Sequence, residues 1–169
     1  HQAQDRIDYV TISSTGDATD FGNLTQGRKY AAAFSNGITA CWAAGFDGNR
    51  YDIIDYVNTA STGDATDFGD TLAAMNGTAG CGAQNRGLIF GGFNDGGYLD
   101  VIQYVTVDTP GHATDFGDMN SSRGSLAATN SPTVAICIGG NGPVDSVDYV
   151  SINTPGDATD WGDWLISVY

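Results

Sequence analysis

The chain has 169 residues, a length that suits one domain with a sizeable core. Its formal net charge is −14, and a surface of this kind repels nucleic-acid phosphates and anionic membranes, so neither is an expected partner. No stretch approaches the roughly 20 consecutive apolar residues of a membrane span, which argues against membrane insertion.

The bias toward Asp and Gly points to one class of secondary structure. Every one of the 20 acidic residues is Asp, and Gly occurs 24 times. Asp and Gly are favoured in turns, whereas the absent Glu favours helices. We therefore predict an all-β protein whose charge lies in loops.

One phrase recurs four times along the chain. It reads STGDATDFG at 14–22 and again at 61–69, TPGHATDFG at 109–117 and TPGDATDWG at 154–162. Each copy follows a strand-like phrase that contains Tyr9, Tyr56, Tyr104 or Tyr149, and these tyrosines are 47, 48 and 45 residues apart. A period of this size indicates one supersecondary unit copied in series, as in a propeller, solenoid or array.

The stretch 28–72 shows the predicted elements of one unit in chain order. Residues 29–34 and 38–44 form two apolar runs around the hairpin signal Asn36-Gly37, and they predict the first and second strands. Residues 51–59 alternate and predict a third strand, and residues 65–70 predict a short fourth strand around Phe68. Four antiparallel strands in about 47 residues match one propeller blade.

The strand count leaves a fourth blade divided between the two ends. Residues 7–12 and the segment around Phe21 supply a third and a fourth strand, and residues 164–168 supply a first strand, but no second strand remains. We divide the single domain, 1–169, into units of about 7–53, 54–101 and 102–146 and a partial unit 147–169.

The divided blade allows three arrangements. The ends can meet within one chain as a minimal ring, or complete blades on a neighbouring chain in a ring of about seven or eight blades. The chain can also be a segment of a longer array. Since an exposed half blade leaves unpaired strand edges, the sequence favours a homo-oligomer formed by blade sharing.

The order of elements resembles the kelch repeat. Arg28, the doublet Ala44-Gly45, the strand 52–56 and Phe68 stand where a kelch blade has an early Arg, a Gly-Gly doublet, an acidic Tyr-containing strand and a late aromatic residue. The match departs at Met75, which replaces the Arg, and in the late Trp, which occurs once, as Trp161. The resemblance implies a kelch-like β-propeller with four-stranded antiparallel blades, about three and a half per chain.

The repeated phrase is also similar to kelch-like arrays in virion proteins of marine bacteriophages. This resemblance implies a virion or extracellular location and a structural or adhesive role, of the tail-fibre or decoration type.

Residues for catalysis are scarce. The two histidines are His1 and His112, and His112 stands where the other copies of the phrase have Asp. A copper site at His1 would need a second close imidazole, and no phosphate loop or nucleophile motif occurs. Cys41, Cys81 and Cys137 form no metal-binding motif, and their odd number does not close a disulfide framework. We expect no enzyme activity and no obligatory cofactor.

Paired Asp residues in the repeated phrase suggest calcium, which prefers hard oxygen ligands. The candidate ligands are Asp17, Asp20, Asp64, Asp67, Asp157 and Asp160. The alternative is that these carboxylates accept hydrogen bonds from the local backbone and form turns.

A host glycan is the predicted ligand, because propellers present loops on flat faces and an exposed aromatic ring can stack on a sugar. The candidate binding residues, near the Gly doublets, are Trp42, Phe46, Tyr51, Phe93 and Tyr98. The alternatives are that these rings pack between blades, and that the protein is a purely architectural, self-assembling subunit without a ligand.

Overall fold

The computed structural model of the chain describes residues 2–141 and 144–168. This part of the chain is built of β-strands and contains no helix. The strands are β1 (Gln4–Tyr9), β2 (Thr19–Arg28), β3 (Ala32–Ser35), β4 (Thr39–Phe46), β5 (Arg50–Asn58), β6 (Thr66–Met75), β7 (Ala79–Ala83), β8 (Arg86–Asn94), β9 (Gly97–Thr106), β10 (Thr114–Asp118), β11 (Ala127–Asn130), β12 (Val134–Ile138), β13 (Val144–Ser151) and β14 (Thr159–Val168).

The strands form antiparallel sheets in which sequence neighbours are also spatial neighbours. β1 and β2 form the N-terminal sheet. The first, second and third four-stranded sheets are the meanders β3–β6, β7–β10 and β11–β14. The predictions of an all-β chain and of four-stranded antiparallel units are confirmed.

The predicted first strand at 164–168 is wrong. These residues continue β14, and Val168 pairs with Val144 of β13. The fourth strands β2 and β6 are likewise ten residues long, because the register shifts and the strand then continues. In β6, Asp70 pairs with Ile53 whereas Met75 pairs with Tyr51. The C-terminal residues therefore do not offer a free first strand to the N-terminal sheet.

The doublets Ala44-Gly45 and Gly91-Gly92 form β-bulges. The register between β4 and β5 shifts between Ala43 and Gly45, and Ala44 has a φ of 63°. The same shift surrounds Gly91, whose φ is 51°. A residue with positive φ at a bulge is typically Gly, which explains why the doublet recurs in the sequence.

The apolar core lies between successive sheets. Val105 and Val107 of the second sheet pack with Phe34 and Phe68 of the first sheet. The third sheet covers the second sheet in the same way, and the core there contains Phe90, Phe116, Val150, Ile152 and Ala158. Each sheet therefore depends on its neighbour to bury its face, as repeat architectures require.

An aromatic pair recurs between the last two strands of each sheet. The ring centroids of Tyr56 and Phe68 are 5.6 Å apart in an edge-to-face arrangement, and equivalent pairs join Tyr9 to Phe21, Tyr104 to Phe116 and Tyr149 to Trp161. We expected Phe21, Phe68, Phe116 and Trp161 to be buried anchors. Phe68 and Phe116 are buried, but Phe21 is half-buried. Trp161 is 58% exposed, because no described residue of a further sheet covers it.

The repeated phrase joins each sheet to the preceding one. Gly63 N donates to Phe21 O at 2.8 Å, and Ala65 N donates to Asn23 O at 2.8 Å. In the next phrase, Ala113 N donates to Asp70 O. The last phrase repeats both bonds, from Gly156 N to Phe116 O and from Ala158 N to Asp118 O. We call each such contact an inter-sheet joint.

The side chain inside each phrase completes the joint. Asp64 Oδ1 accepts from Asn23 N at 2.9 Å, and Asp157 Oδ1 accepts from Asp118 N at 3.1 Å. His112 Nδ1 accepts from Asp70 N at 3.1 Å, so His112 replaces Asp as an acceptor.

A buried polar pair accompanies each joint. Nη2 of Arg28 lies 2.9 Å from Oδ2 of Asp55. Nη2 of Arg123 lies 2.7 Å from Oδ2 of Asp148, and all four side chains are fully buried. In the middle joint, Met75 replaces Arg and Gln103 replaces Asp, with Gln103 Nε2 3.6 Å from Met75 Sδ. Both members of the pair thus change together.

Candidate functional site

Three loops that precede the first strands meet at one end of the sheets. Gly77 N donates to Tyr30 O at 2.8 Å, and Ser125 N donates to Gly77 O at 2.7 Å. All three residues have φ between 58° and 67°. For Tyr30 and Ser125, which have a Cβ atom, this left-handed conformation is strained, and strain of this kind concentrates at functional sites.

Aromatic rings and cations alternate beside these loops. Arg50 lies 4.6 Å from the ring centroid of Phe93 and 5.9 Å from that of Phe46. Phe93 in turn contacts Tyr98, with centroids 5.3 Å apart. Nζ of Lys29 lies 5.8 Å from the ring centroid of Phe46 and 5.4 Å from that of Tyr30, so Lys29 continues the alternation. We call the six residues the aromatic row: Tyr30, Lys29, Phe46, Arg50, Phe93 and Tyr98.

A pocket of about 210 Å³ adjoins one end of the aromatic row. It is lined by Asn76, Gly77, Phe93, Tyr98, Gly124, Ser125 and Asn141. The lining therefore combines two aromatic rings with amide, hydroxyl and backbone groups that donate and accept hydrogen bonds. Few polar groups beside an apolar surface are typical of small-ligand sites.

Arg50 binds to the loop that follows β6 and to the loop that follows β8. Its Nε donates to Asn76 Oδ1 at 3.0 Å, and its Nη1 forms an ion pair with Asp95. Arg50 covers one face of Phe93, so Tyr98, which is 46% exposed, offers the more accessible ring surface. Arg50 thus orients the aromatic wall of the pocket.

The predicted ligand-binding residues do not all meet. Phe46, Phe93 and Tyr98 belong to the aromatic row. Trp42 instead lines a separate groove of about 580 Å³ between the N-terminal and first sheets, with Tyr9 among the lining residues.

Tyr51 is occupied by a local contact. Its hydroxyl donates to Asp47 Oδ2 at 2.8 Å, and this hydrogen bond is the main cause that raises the pKa of Tyr51. The pKa of Asp47 is lowered, first by the backbone N–H of Asn49 and then by Tyr51. Tyr51 therefore fixes the loop after β4 and does not reach the pocket lining.

The polar side chains that line the pocket, Asn76, Ser125 and Asn141, were not predicted from the sequence, and neither was Arg50, which donates a hydrogen bond to Asn76. Arg50 ends the loop at 47–50, which varies between units, and that variation was the one signal in the sequence. Asn76 follows β6 of the first sheet and Asn141 follows β12 of the third sheet, so only the stacking of the sheets brings them together.

Four of the six candidate calcium ligands accept hydrogen bonds from the backbone. Asp64 and Asp157 accept backbone N–H groups at the joints, and Asp67 and Asp160 accept from the Gly two residues later. Asp20 lies 3.8 Å from Arg6 Nε, and Asp17 is exposed. Across 2–141 and 144–168, no three His, Cys or acidic side chains form a group able to hold a metal ion. Calcium binding stays a prediction.

The cysteines are free and buried, so they are poor nucleophiles. Burial raises the pKa of Cys41 and of Cys81 to about 12 and that of Cys137 to about 11. His112 is exposed and contacts Asp70 at the second joint. His1 lies outside the described residues.

Comparison with known proteins adds no family assignment: neither the protein-family models nor the curated proteins searched gave a match to this chain. Within the described part of the chain, no helix is long and apolar enough to cross a membrane.

Proposed function

We propose that this chain is a non-catalytic binding protein that presents the pocket beside Tyr98 to a glycan. In this proposal the stacked sheets are the blades of a kelch-like propeller, and the protein is a structural or adhesive component of a virion or cell surface. The observation that carries the glycan proposal is the lining of the pocket, in which an exposed tyrosine ring stands next to side-chain amides and a hydroxyl.

The chemistry of sugars supports this choice of ligand. A pyranose ring has an apolar C–H face that can pack on an aromatic ring, and a rim of hydroxyls that donate and accept hydrogen bonds. Tyr98 supplies the ring, and Asn76, Ser125 and Asn141 supply partners for hydroxyls. A volume of about 210 Å³ lies below the roughly 300–1,000 Å³ of pockets for drug-sized ligands, so the pocket would take one sugar residue at the end of a longer chain and not an oligosaccharide.

A glycan array tests the proposal. The wild-type chain should give hits, and Tyr98→Ala and Phe93→Ala should weaken binding to those glycans about tenfold or more, as truncation of an aromatic anchor typically does. Tyr98→Phe keeps the ring and should retain most of the binding. Tyr9→Ala changes the separate groove that contains Trp42 and serves as the matched control.

Two results would count against glycan binding at this pocket. One is an array without hits for folded wild-type protein. The other is a set of hits that Tyr98→Ala leaves unchanged, or that Tyr9→Ala abolishes instead.

The second candidate is a purely architectural subunit that assembles without a ligand. The exposed ring of Trp161 and the exposed side chain of Ile12 favour it. Phe68 and Phe116 are buried at the place of Trp161, and Val107 and Ile152 are buried at the place of Ile12, although Phe21 is half-buried and Thr59 is exposed. A blank array from a protein that assembles in solution would support this candidate.

A further inference from the structure

The inter-sheet joint has two halves with different chemistry. One half is the loop of the repeated phrase, which donates two backbone N–H groups in the first and last joints and one in the middle joint, and contributes one acceptor side chain. The other half is the edge of the fourth strand of the preceding sheet, which accepts those bonds through two carbonyls, as Phe116 and Asp118 do. Each half fits the other and not itself.

Apolar contacts strengthen the joint. Val107 and Ile152 precede the loop in their sheets, and both are buried against the preceding sheet, with 2% and 1% exposure. Ala113 and Ala158, inside the loop, are buried in the same cores. In the second and third sheets the loop half thus carries an aliphatic anchor in addition to its hydrogen-bond donors, whereas the first sheet has the exposed Thr59 at this place.

The N-terminal sheet has a loop half without a partner. Gly16, Asp17 and Ala18 repeat the sequence of the other loops, yet Gly16 and Asp17 form none of the joint hydrogen bonds in the described chain. Ile12 occupies the place of Val107 and Ile152, and it is 99% exposed. An aliphatic side chain and several donors are therefore presented to solvent together.

Within residues 2–141 and 144–168, the matching strand half in the third sheet has no partner. A Cβ atom on Gly22, Gly69 or Gly117 would lie 2.2 to 2.5 Å from the nearest atom of the next loop, whereas a Cβ atom on Gly162 would meet nothing within 4 Å. Trp161, next to it, is exposed, while Phe116 at the same position is buried. A groove of about 420 Å³ lies there, lined by Val134, Tyr149, Asp160 and Trp161.

We propose that these two halves bind each other between two copies of this chain. The loop 14–18 of one copy seats on the fourth strand of the third sheet in a second copy, as the equivalent loops seat within the chain. Gly16 N donates to Trp161 O, Ala18 N donates to Asp163 O, and Ile12 enters the groove beside Trp161. The contact is face to face between sheets and does not pair free strands.

The joint is head-to-tail, so each copy uses one half and keeps the other for a further copy. Such a heterologous contact gives a closed ring when the rotation closes and a filament when it does not. Because the chain carries a net charge of −14, added salt should strengthen association by screening repulsion between copies.

Sedimentation velocity over a range of concentrations tests the joint. Wild-type protein should form species larger than the 17.6 kDa monomer. Gly162→Ala places a methyl group where the loop of the second copy must approach, and Ile12→Asp removes the anchor; each should weaken association at least about tenfold. Gly48→Ala is the matched control, since Gly48 has a similar φ of 141°, also with open space around it.

A mixing experiment separates this joint from any symmetric contact. The Gly162→Ala copy keeps an intact loop half, and the Ile12→Asp copy keeps an intact strand half. An equimolar mixture should therefore form a heterodimer, although each variant alone stays monomeric. Circular dichroism should show that both variants remain folded, because Ile12 is exposed and a Cβ atom on Gly162 meets nothing within 4 Å.

Three outcomes would overturn the proposal: wild-type protein that stays monomeric at all concentrations and salt conditions, association that both variants leave intact, or a mixture that gives no heterodimer.

Discussion

Arg28 and Asp55 illustrate the cost of a buried charge. Burial lowers the pKa of Arg28, and the negative charge of Asp55 opposes that shift. Nε and Nη1 of Arg28 are buried without a hydrogen-bond partner, so the ion pair does not recover the whole desolvation cost. In the middle joint both residues of the pair are uncharged. Gln103 Oε1 there accepts the N–H of Leu72, as Asp55 accepts that of Thr25 in the first joint.

The first prediction concerns this pair. Arg28→Met alone leaves Asp55 buried and unpaired, and it should lower the free energy of unfolding by about 3–5 kcal/mol. The double variant Arg28→Met/Asp55→Gln copies the pair of the middle joint and should return to within about 2 kcal/mol of wild type. Urea denaturation of the four proteins of the cycle measures the coupling. Additive effects of the two substitutions would contradict the prediction.

At the scale of single elements, the sequence predicted the strands but not the contacts between sheets. Tyr56, the Asn36-Gly37 turn and Phe68 predicted the strands of the first sheet, because these are local signals. The partner of Asp64 is Asn23, in the preceding sheet, and no local signal identifies it. Likewise, the contact of Arg50 with Phe93 depends on how two sheets stack, so the row and its pocket had to be observed.

The same limit explains the errors at the C-terminal end. The copy of the phrase at Trp161 predicted a buried anchor, but burial requires a sheet that covers it. The run 164–168 is apolar and suits a strand, and only the register with β13 shows that it prolongs β14.

The second prediction compares two glycines with nearly equal backbone angles. Gly117 and Gly48 have φ of 142° and 141°, but a Cβ atom on Gly117 would lie 2.5 Å from the backbone of Gly156, whereas one on Gly48 would lie in open space. Gly48→Ala should cost about 1–3 kcal/mol through strain alone. Gly117→Ala should cost about 2 kcal/mol more, because the two joint hydrogen bonds to Phe116 and Asp118 are also displaced.

Thermal and urea denaturation of both alanine variants provide the comparison. Equal losses of stability would show that strain, and not the approach of the loop, makes glycine necessary at position 117.

At the scale of the whole molecule, stability should decrease toward the N-terminal sheet. That sheet has two strands, Phe21 is half-buried, and the groove of about 580 Å³ separates part of it from the first sheet. By contrast, Leu88, Ile89 and Phe90 of β8 are almost completely buried in the middle of the stack. In an array held by contacts between neighbours, local opening is easiest where a unit has fewest contacts.

The third prediction follows from this gradient. Amide hydrogens of β1 and β2 should exchange through local opening, at least about tenfold faster than those of β8 and β9. Hydrogen–deuterium exchange with mass spectrometry measures both in one experiment. The measurement should be made on monomeric Gly162→Ala protein, so that association does not protect the N-terminal sheet. Uniform protection would indicate a single cooperative unit.

The alternation of Arg–Asp and Met–Gln pairs at successive joints has a consequence for how such a chain can evolve. The two members of each pair belong to different repeats, and a change in one member leaves a lone charge or an unmatched amide in the interior. A repeat that is duplicated or exchanged by recombination therefore brings one member of a buried pair, and its new neighbour must supply the matching residue. The buried pairs thus restrict which repeats can follow one another, and the order of the repeats is inherited along with their sequences.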